Sequence, residues 1–443
     1  MQSGKKMLAA ALALAGMMTV PVEAAQDAEA LMQAYERLLQ RVEQLEASNK
    51  RLEAALVQAG NDSVRELSAR VEGVENEVQA LRKPSALEEA VEGVSASASF
   101  TIVGQKMSGD NEASEITTRA DVEIELPMGS IGDAEGRLFA HLRAGDGEGV
   151  DTGAFATSNA MAFGHESRMG LMQAWYQLDI PVGGTEGNPG RVEMTLGKID
   201  PFGFFDGNNI ADDESEQFLN LAFIHNPLLD AGGDIGAGDD GGSPGLRLAY
   251  VSSVNGGNNI AASVGIFGAG DNGANFTDSF DGGLAIGQLE YAGKTFGGLA
   301  GAYRLYGWSN SNALALDGVT EERHGGWGVS LDQQVADQVT LFSRMGLSAQ
   351  GEAAFDRAVT VGAQFDGGLW GRASDRIGLA AGWLRASSES GLSGSEKPAE
   401  LYYVWQLNEH VHLSPGMQWI GNPGGDKSAD DVILWSLRAK ASF

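Results

Sequence analysis

The sequence predicts an all-β transmembrane barrel of about 16 antiparallel strands, preceded by an α-helical coiled coil. Three observations predict this fold: an export signal, alternation of apolar and polar residues from residue 95 to the end, and no later apolar stretch long enough for a spanning helix. Backbone polar groups inside a membrane must be hydrogen-bonded within the protein. A spanning chain without such a helix therefore closes its strands into a barrel.

Residues 1–24 have the pattern of a secretory signal peptide. Lys5 and Lys6 form a basic start, residues 7–20 are apolar but too few to span a membrane, and residues 22–24 match a cleavage site. We therefore predict cleavage after Ala24 and delivery to the bacterial outer membrane.

The composition excludes several classes of function. The chain has 30 basic and 60 acidic residues, a formal net charge of −30, and so acidic a surface would repel nucleic acid. It has no cysteine, which rules out thiol catalysis and thiolate metal sites. The sequence contains neither a Ser-His-Asp set that strands would bring together nor an Asp-x-Asp-x-Asp-Gly loop. We predict no enzyme activity, no metal site and no cofactor.

Residues 27–83 are predicted to form a periplasmic coiled coil in two helical segments. Asn49 is the one polar core position, residues 60–62 interrupt the helix, and Ser63 with Glu66 makes a capping box that restarts it. The apolar seam, with steps of three and four, is Leu31, Tyr35, Leu38, Val42, Leu45, Leu52 and Leu56, then Val64, Leu67, Val71, Val74, Val78 and Leu81. A single amphipathic helix packed on the next domain is the alternative, but an unbroken heptad with charged flanks favours self-association.

Residues 95–443 are predicted to form the barrel. The clearest strands are residues 137–144, 173–180, 191–196, 299–306, 339–347, 359–365 and 433–443. A water-soluble sandwich would also alternate, but here the second face carries ionised side chains strand after strand, as a water-filled lumen requires.

The predicted connections alternate between long and short. Long ones are residues 146–170, 200–243, 268–283, 308–325 and 386–399; short ones are residues 181–190, 253–258, 292–297, 335–338 and 408–410. Long outer loops and short periplasmic turns are typical of outer-membrane barrels. Residues 200–243 are long enough to have a function of their own, and we predict that they fold inward as a constriction loop.

The last strand ends in an aromatic residue, Phe443, on its apolar face. This pattern resembles the recognition signal of the outer-membrane barrel-assembly machinery, so we predict that machinery as a partner and Phe443 as the signal.

Two stretches resemble a known family. The first contains LGKIDP (196–201), FFDGNN (204–209), DDE (212–214), QFLN (217–220) and NP (226–227), and the second is PGMQWIGNPGG (415–425). Together they resemble the carbohydrate-selective porin family, OprB type, over residues 95–443. The resemblance implies a sixteen-stranded barrel that passes sugars passively, with a long loop that narrows the pore.

The candidate site residues form two sets of opposite charge. The predicted constriction carries Asp206, Asp212, Asp213, Glu214 and Glu216, and strand parity places Arg137, Arg143, Arg247, Arg304, Arg344 and Arg438 on the lumen wall. An acidic loop opposite a basic wall would orient polar solutes. The alternative is that these acids only solvate an outer loop.

Sugar recognition requires flat apolar surface beside hydrogen-bonding groups. Parity places Phe139, Trp175, Phe342 and Tyr402 on the lumen side, where they could form a stacking track. Alternatively, most aromatic residues form girdles at the lipid interface, which fits Tyr403, Trp405 and Trp435.

These predictions favour a passive diffusion channel for small hydrophilic solutes, embedded in outer-membrane lipid as a homotrimer. One rival is an anion or phosphate channel served by the luminal arginines. Another is a structural envelope protein whose coiled coil tethers or spaces the outer membrane. A third is a sheath for electron carriers, which would be separate chains because no Cys-x-x-Cys-His is present.

Overall fold

The computed structural model describes residues 36–37, 39–48, 50–51, 93–109, 112–185, 188–231, 241–254, 258–268 and 283–443. The chain divides into two compact units, Met1–Val94 and Ser95–Phe443. In the first unit, the described residues between 36 and 51 are helical. The predicted signal peptide, Asn49 and most of the predicted coiled coil lie outside the described residues. No helix among the described residues is long and apolar enough to cross a membrane.

The described residues of the second unit form sixteen strands, each antiparallel to its two neighbours, and β1 pairs with β16 to close the barrel. The strands are β1 Ser95–Ser108, β2 Ser114–Ile131, β3 Ala134–Gly147, β4 Gly164–Thr185, β5 Asn188–Ile199, β6 Ser243–Val254, β7 Asn258–Gly268, β8 Gly283–Lys294, β9 Ala300–Leu314, β10 Glu321–Ala336, β11 Val339–Gln350, β12 Phe355–Asp366, β13 Arg376–Ala386, β14 Ser395–Gln406, β15 Val411–Gly421 and β16 Val432–Ser442. The predicted all-β barrel of antiparallel strands is confirmed.

The period-two pattern explains which side of each strand faces lipid. On β16, Trp435 and Leu437 are 56% and 54% exposed on the outer face, whereas Arg438 on the inner face is 1% exposed. Lipid replaces water around the outer face, so apolar side chains remain on the surface.

One predicted loop is shorter than expected. β9 continues to Leu314 and β10 begins at Glu321, so most of residues 308–325 is strand. Its serines and asparagines resemble loop residues, but they extend the hairpin ladder towards the loop end, where both strand faces can be polar. The structure also adds a turn at residues 367–375, which contains the 3₁₀ turn Gly367–Trp370 and which alternation alone did not reveal.

Two of the long loops fold into the barrel and pack on each other. Residues 148–163 contact residues 200–231 through main-chain hydrogen bonds, from Ala160 N–H to Leu219 O (2.7 Å) and from Leu221 N–H to Thr157 O (3.0 Å). The second loop contains the 3₁₀ turn Pro201–Gly203 and one α-helical turn, Leu221–Ile224. We call these segments the two inward loops.

The inward loops share a buried core with the wall strands β7–β14. On the loop side the core contains Phe202, Phe205, Phe218 and Phe223, each at most 4% exposed. On the wall side it contains Phe267, Ile286, Tyr306, Phe342, Ala380 and Tyr402. The lumen beside these strands is therefore filled with protein, and we call this the docked side.

Candidate functional site: a cavity beside the inward loops

A cavity of about 710 Å³ lies between the inward loops and strands β16 and β1–β4, which we call the open side of the lumen. Its wall contributes Arg119, Asp121, His141, Arg143 and Lys440, and the second loop contributes Asp200, Asp212, Asp213, Glu214, His225 and Asp230. It also reaches Ser97, Ser442 and Phe443 at the turn end of the barrel. The cavity is therefore polar and extends from the inward loops to the turn end of the barrel.

Glu214 connects the loop to the basic wall on the open side. Its Oε1 lies 2.6 Å from Arg119 Nη1 and 4.0 Å from Arg143 Nη2. Burial would raise the pKa of Glu214, but the two guanidinium groups lower it to about 2. Glu214 is therefore ionised at neutral pH, and its charge is balanced by the wall.

Glu216 makes a second connection of the same kind. Lys440 Nζ lies 2.6 Å from Glu216 Oε1, and Arg376 pairs with the other carboxylate oxygen. Burial would raise the pKa of Glu216, but Lys440 and Arg376 lower it to about 2. Sequence inspection missed Arg119, Arg376 and Lys440, although strand parity alone would have placed them on the inner face.

Asp206 and Arg344 are fully buried, and the structure corrects the prediction that they face water. Arg344 Nε lies 3.1 Å from Asp206 Oδ1, and both side chains are 0% exposed. Asp206 also accepts hydrogen bonds from the Tyr306 hydroxyl and from Asn226 N–H, each at 2.5 Å. Arg344 further donates to the main-chain oxygens of the loop residues Asp206, Ala211 and Phe223. The pair anchors the loop and does not line the cavity.

A buried carboxylate on β14 provides another anchor. Glu400 accepts hydrogen bonds from Leu219 N–H (2.8 Å) and Asn220 N–H (2.9 Å). These two amides lie just before the helical turn Leu221–Ile224, where main-chain N–H groups need outside partners. The loop is thus held by specific wall side chains as well as by its apolar core.

Asp212 and Asp213 line the cavity next to the buried anchor. Asp212 Oδ1 is 3.2 Å from Arg344 Nη2, and the Asp212 side chain is 34% exposed. Burial raises the pKa of Asp212 to about 7, although Arg344 opposes this shift. Asp213 accepts hydrogen bonds from the main-chain N–H and hydroxyl of Ser215, which orders the tip that carries Glu214.

Of the six predicted wall arginines, only Arg143 lines the cavity. Arg247 pairs with Glu193 at 3.0 Å, and Arg304 pairs with Glu290 at 2.7 Å and with Asp332 at 3.0 Å. Arg438 donates to the main-chain oxygen of Glu214 at 2.7 Å. Arg137 is 39% exposed and 3.9 Å from Glu125. The field of the predicted basic wall is therefore mostly cancelled by carboxylates.

The predicted sugar-stacking residues lie on the inner side, but loop residues cover their rings. Trp175 stacks on Phe139 at 4.9 Å and meets Phe204 edge-on at 5.5 Å. Phe342 and Tyr402 pack on Phe218, with ring centroids 5.6 and 5.0 Å apart. Because Trp175, Phe342 and Tyr402 are at most 8% exposed, the stacking track is corrected. Phe342 and Tyr402 belong to the docked side, and Trp175, on β4, packs against the loop residue Phe204.

Comparison with known proteins identifies the family. The family model described as "Carbohydrate-selective porin, OprB family" matches residues 108–443. The chain belongs to this family. The resemblance predicted from the two sequence stretches is confirmed for the barrel, and residues 27–83 lie outside the match.

Solved porin structures resemble the barrel of this OprB-family member. The high-pH structure of Pseudomonas putida OprB is 17% identical, covers 81% of this chain and 96% of its own, and has a TM-score of 0.67. The low-pH structure of the same protein is 16% identical, covers 81% and 95% of the two chains, and has a TM-score of 0.51. At this identity the likeness shows the fold alone.

One curated relative of this porin is an uncharacterized protein, alr4550, from Nostoc sp. It is 24% identical over 110 residues, which are 22% of this chain and 19% of that protein. The match spans about a fifth of the relative's length.

His225 and its neighbours are cavity residues of this porin that sequence inspection did not reveal. The imidazole stacks on Phe202, with centroids 3.8 Å apart, and its Nδ1 lies 2.6 Å from Asp230 Oδ2. Burial would lower the pKa of His225, but the hydrogen bond with Asp230 raises it to about 9. Residues of an irregular loop follow no period, so no sequence signal brings His225 and Asp230 together. Among the described residues, no cluster of three or more His, Cys, Asp or Glu could hold a metal ion.

Proposed function

We propose that this porin is a passive diffusion channel for small hydrophilic solutes, with uncharged sugars as its main cargo. The polar cavity on the open side carries the proposal, because it extends from the inward loops to the turn end of β1 and β16. Passive diffusion needs such a water-filled passage and requires no cofactor. The family description, carbohydrate-selective porin, supports sugars as the solute class.

The charge arrangement of the cavity supports a preference for neutral solutes. Arg119, Arg143 and Lys440 face Glu214, Glu216 and Asp121 across distances of 2.6–4.0 Å. Paired charges leave strong local dipoles, which hydrogen-bond to hydroxyl groups, but little net charge that would concentrate ions of one sign. We propose that the constriction recognises a sugar by hydrogen bonds to these paired basic and acidic side chains.

Swelling of proteoliposomes and single-channel recording in planar bilayers test the function together. We expect swelling rates that fall steeply from monosaccharides to trisaccharides. In a KCl gradient we expect a reversal potential that is near zero or that indicates a slight preference for cations. Protein-free liposomes are the control. Strong anion selectivity with no monosaccharide flux would favour the rival phosphate channel, for which Arg119 and Arg143 would be the binding residues.

We propose that the constriction is formed by the stretch from Asp212 to Glu216 within residues 200–243, with Asp206 as a buried anchor of the loop. Its support is the pair of connections at Glu214 and Glu216, which hold this stretch across the lumen. The signal peptide, residues 1–24, and the periplasmic coiled coil, residues 27–83, remain proposals from the sequence.

We also propose that the coiled coil reinforces a homotrimer. Light scattering of the purified full-length protein, compared with an Asn49→Leu variant that removes the polar core position, tests this idea. We expect a trimer for the full-length protein and mixed oligomers for the variant. A monomeric full-length protein would exclude the trimer proposal. The coiled coil could then act as an envelope tether.

Phe443 is proposed to be the assembly signal. Its ring stacks on His410 with centroids 5.4 Å apart and is 44% exposed. We expect Phe443→Ala to reduce folded, heat-modifiable protein in outer membranes, and normal amounts would refute the proposal.

A further inference from the structure

The lipid-facing surface carries a basic patch at the loop end of strands β10–β14. Arg323, Arg357 and Lys397 are exposed, and each lies two residues inside the loop end of its strand. Arg385, on β13, lies one residue inside and pairs with Asp356. Within the described part of the chain, the other three have no carboxylate at salt-bridge distance. In a chain with a formal net charge of −30, a cluster of basic side chains that outnumbers its acidic neighbours Asp356 and Glu321 needs an explanation.

The register places two arginines of this patch directly opposite each other. Arg357 on β12 is the cross-strand partner of Arg385 on β13. Like charges in this position destabilise a sheet, and Asp356 compensates only one of the two. The arrangement is favourable when an external anion lies over the pair.

The height of the patch is that of lipid headgroups. Trp327 and Trp383, which are 59% and 37% exposed, lie on the same strands and face the same side. Exposed aromatic residues mark the membrane interface of such barrels. The anion that meets the patch is therefore part of a lipid.

An apolar groove begins beside the patch and continues away from it. Its floor contains Gly287 and Gly307, and Val264, Ile266 and Trp327 line it. The Trp327 ring lies beside Gly307, where a Cβ atom would meet it at 3.4 Å. Arg323 donates a hydrogen bond to Ser309, another groove residue, at 3.3 Å. The groove thus starts at a cation and continues along apolar side chains and glycines.

We propose that this surface binds a phosphorylated, multiply acylated glycolipid of the outer leaflet, the lipid A anchor of lipopolysaccharide. The basic patch holds the phosphate groups, and the groove holds one acyl chain. Charge complementarity selects this occupant, because a neighbouring protein chain that is as acidic as this one would gain less from the patch, and a neutral lipid would leave the arginines unpaired. The surface faces away from the lumen, so the proposal is independent of the proposed transport function.

Native mass spectrometry of the full-length protein with bis-phosphorylated lipid A, dephosphorylated lipid A or phosphatidylglycerol tests it. The main variant is Arg323→Gln, Arg357→Gln, Lys397→Gln. Its matched control is Lys106→Gln, on β1, whose side chain is 61% exposed and 3.4 Å from Glu112. We expect about fivefold weaker retention of bis-phosphorylated lipid A for each residue neutralised in the patch, and no change in the control.

A second variant tests the groove separately. A Cβ atom at Gly287 would find its nearest neighbours at 3.8 and 3.9 Å, so Gly287→Leu fits and fills the groove. We expect it to weaken retention of phosphorylated and dephosphorylated lipid A alike. Conductance should stay at the wild-type value in every variant, which reports correct folding. Equal retention by the patch variant and the Lys106→Gln control, or equal retention of phosphatidylglycerol and lipid A by the wild type, would overturn the proposal.

Discussion

The docked side and the open side of the lumen use the same residue types for different purposes. On the docked side, Arg344 and Asp206 are both 0% exposed and hold the loop against the wall. On the open side, Arg143 and Glu214 are 19% and 18% exposed and border the cavity. An arginine on the inner face of a porin strand therefore faces either protein or water, depending on whether a loop covers it.

The two environments change how much each ion pair contributes to the free energy of unfolding. Removing one partner of a buried pair leaves an uncompensated charge and costs about 3–5 kcal/mol. A pair that water partly reaches contributes less, towards the roughly 0–1 kcal/mol of fully exposed pairs, but solutes passing through the cavity feel its field. Substitutions on the docked side should thus change the shape of the pore, and those on the open side its selectivity.

The largest expected effect follows from breaking the buried anchor. Arg344→Met would leave Asp206 buried without a cation, destabilise the docked loop by about 3–5 kcal/mol, and release it from the wall. We expect a larger single-channel conductance and a lower temperature for heat modification on gels. Arg137→Met, at a wall arginine that is 39% exposed, is the matched control and should change neither. Wild-type conductance in Arg344→Met would mean that the apolar core alone holds the loop.

A smaller effect is expected from the open side. The triple change Asp212→Asn, Asp213→Asn, Glu214→Gln removes three acids from the cavity lining and leaves Arg119 and Arg143 without Glu214. We expect the reversal potential to shift towards anions with conductance nearly unchanged, and the shift to shrink at high salt because screening shortens the reach of each charge. Neutralising three exposed acids outside the cavity, Glu112, Glu321 and Glu352, serves as the control. No shift in the triple variant would show that ions do not pass beside this segment.

The smallest effect is a pH dependence of selectivity. The pKa of Asp212 is about 7 and that of His225 is about 9, whereas those of Glu214 and Glu216 are about 2. Between pH 8 and pH 6 only Asp212 among these four gains a proton, so the lining loses one negative charge. We expect a small shift of the reversal potential towards anions on acidification, absent in Asp212→Asn. A shift that persists in Asp212→Asn would assign the titration to another group.

Sequence periodicity predicted the barrel well because each strand carries its own evidence. Alternation in residues 433–443 is enough to assign the outer and inner faces of β16. Periodicity could not show which inner-face residues the loop would cover, since that depends on contacts between distant segments. Phe342 and Tyr402 were placed on the correct face, but their partner Phe218 lies in an irregular loop with no period. The same limit hid His225 and Asp230.

The loop anchors also determine the order in which the pore can be built. Asp206 meets Arg344 138 residues later, and Leu219 meets Glu400 181 residues later. Such non-local contacts form slowly, because a large part of the chain must lose conformational entropy before these contacts stabilise the fold. The constriction is therefore complete only after β11 and β14, which follow the loop in the chain, have formed around it.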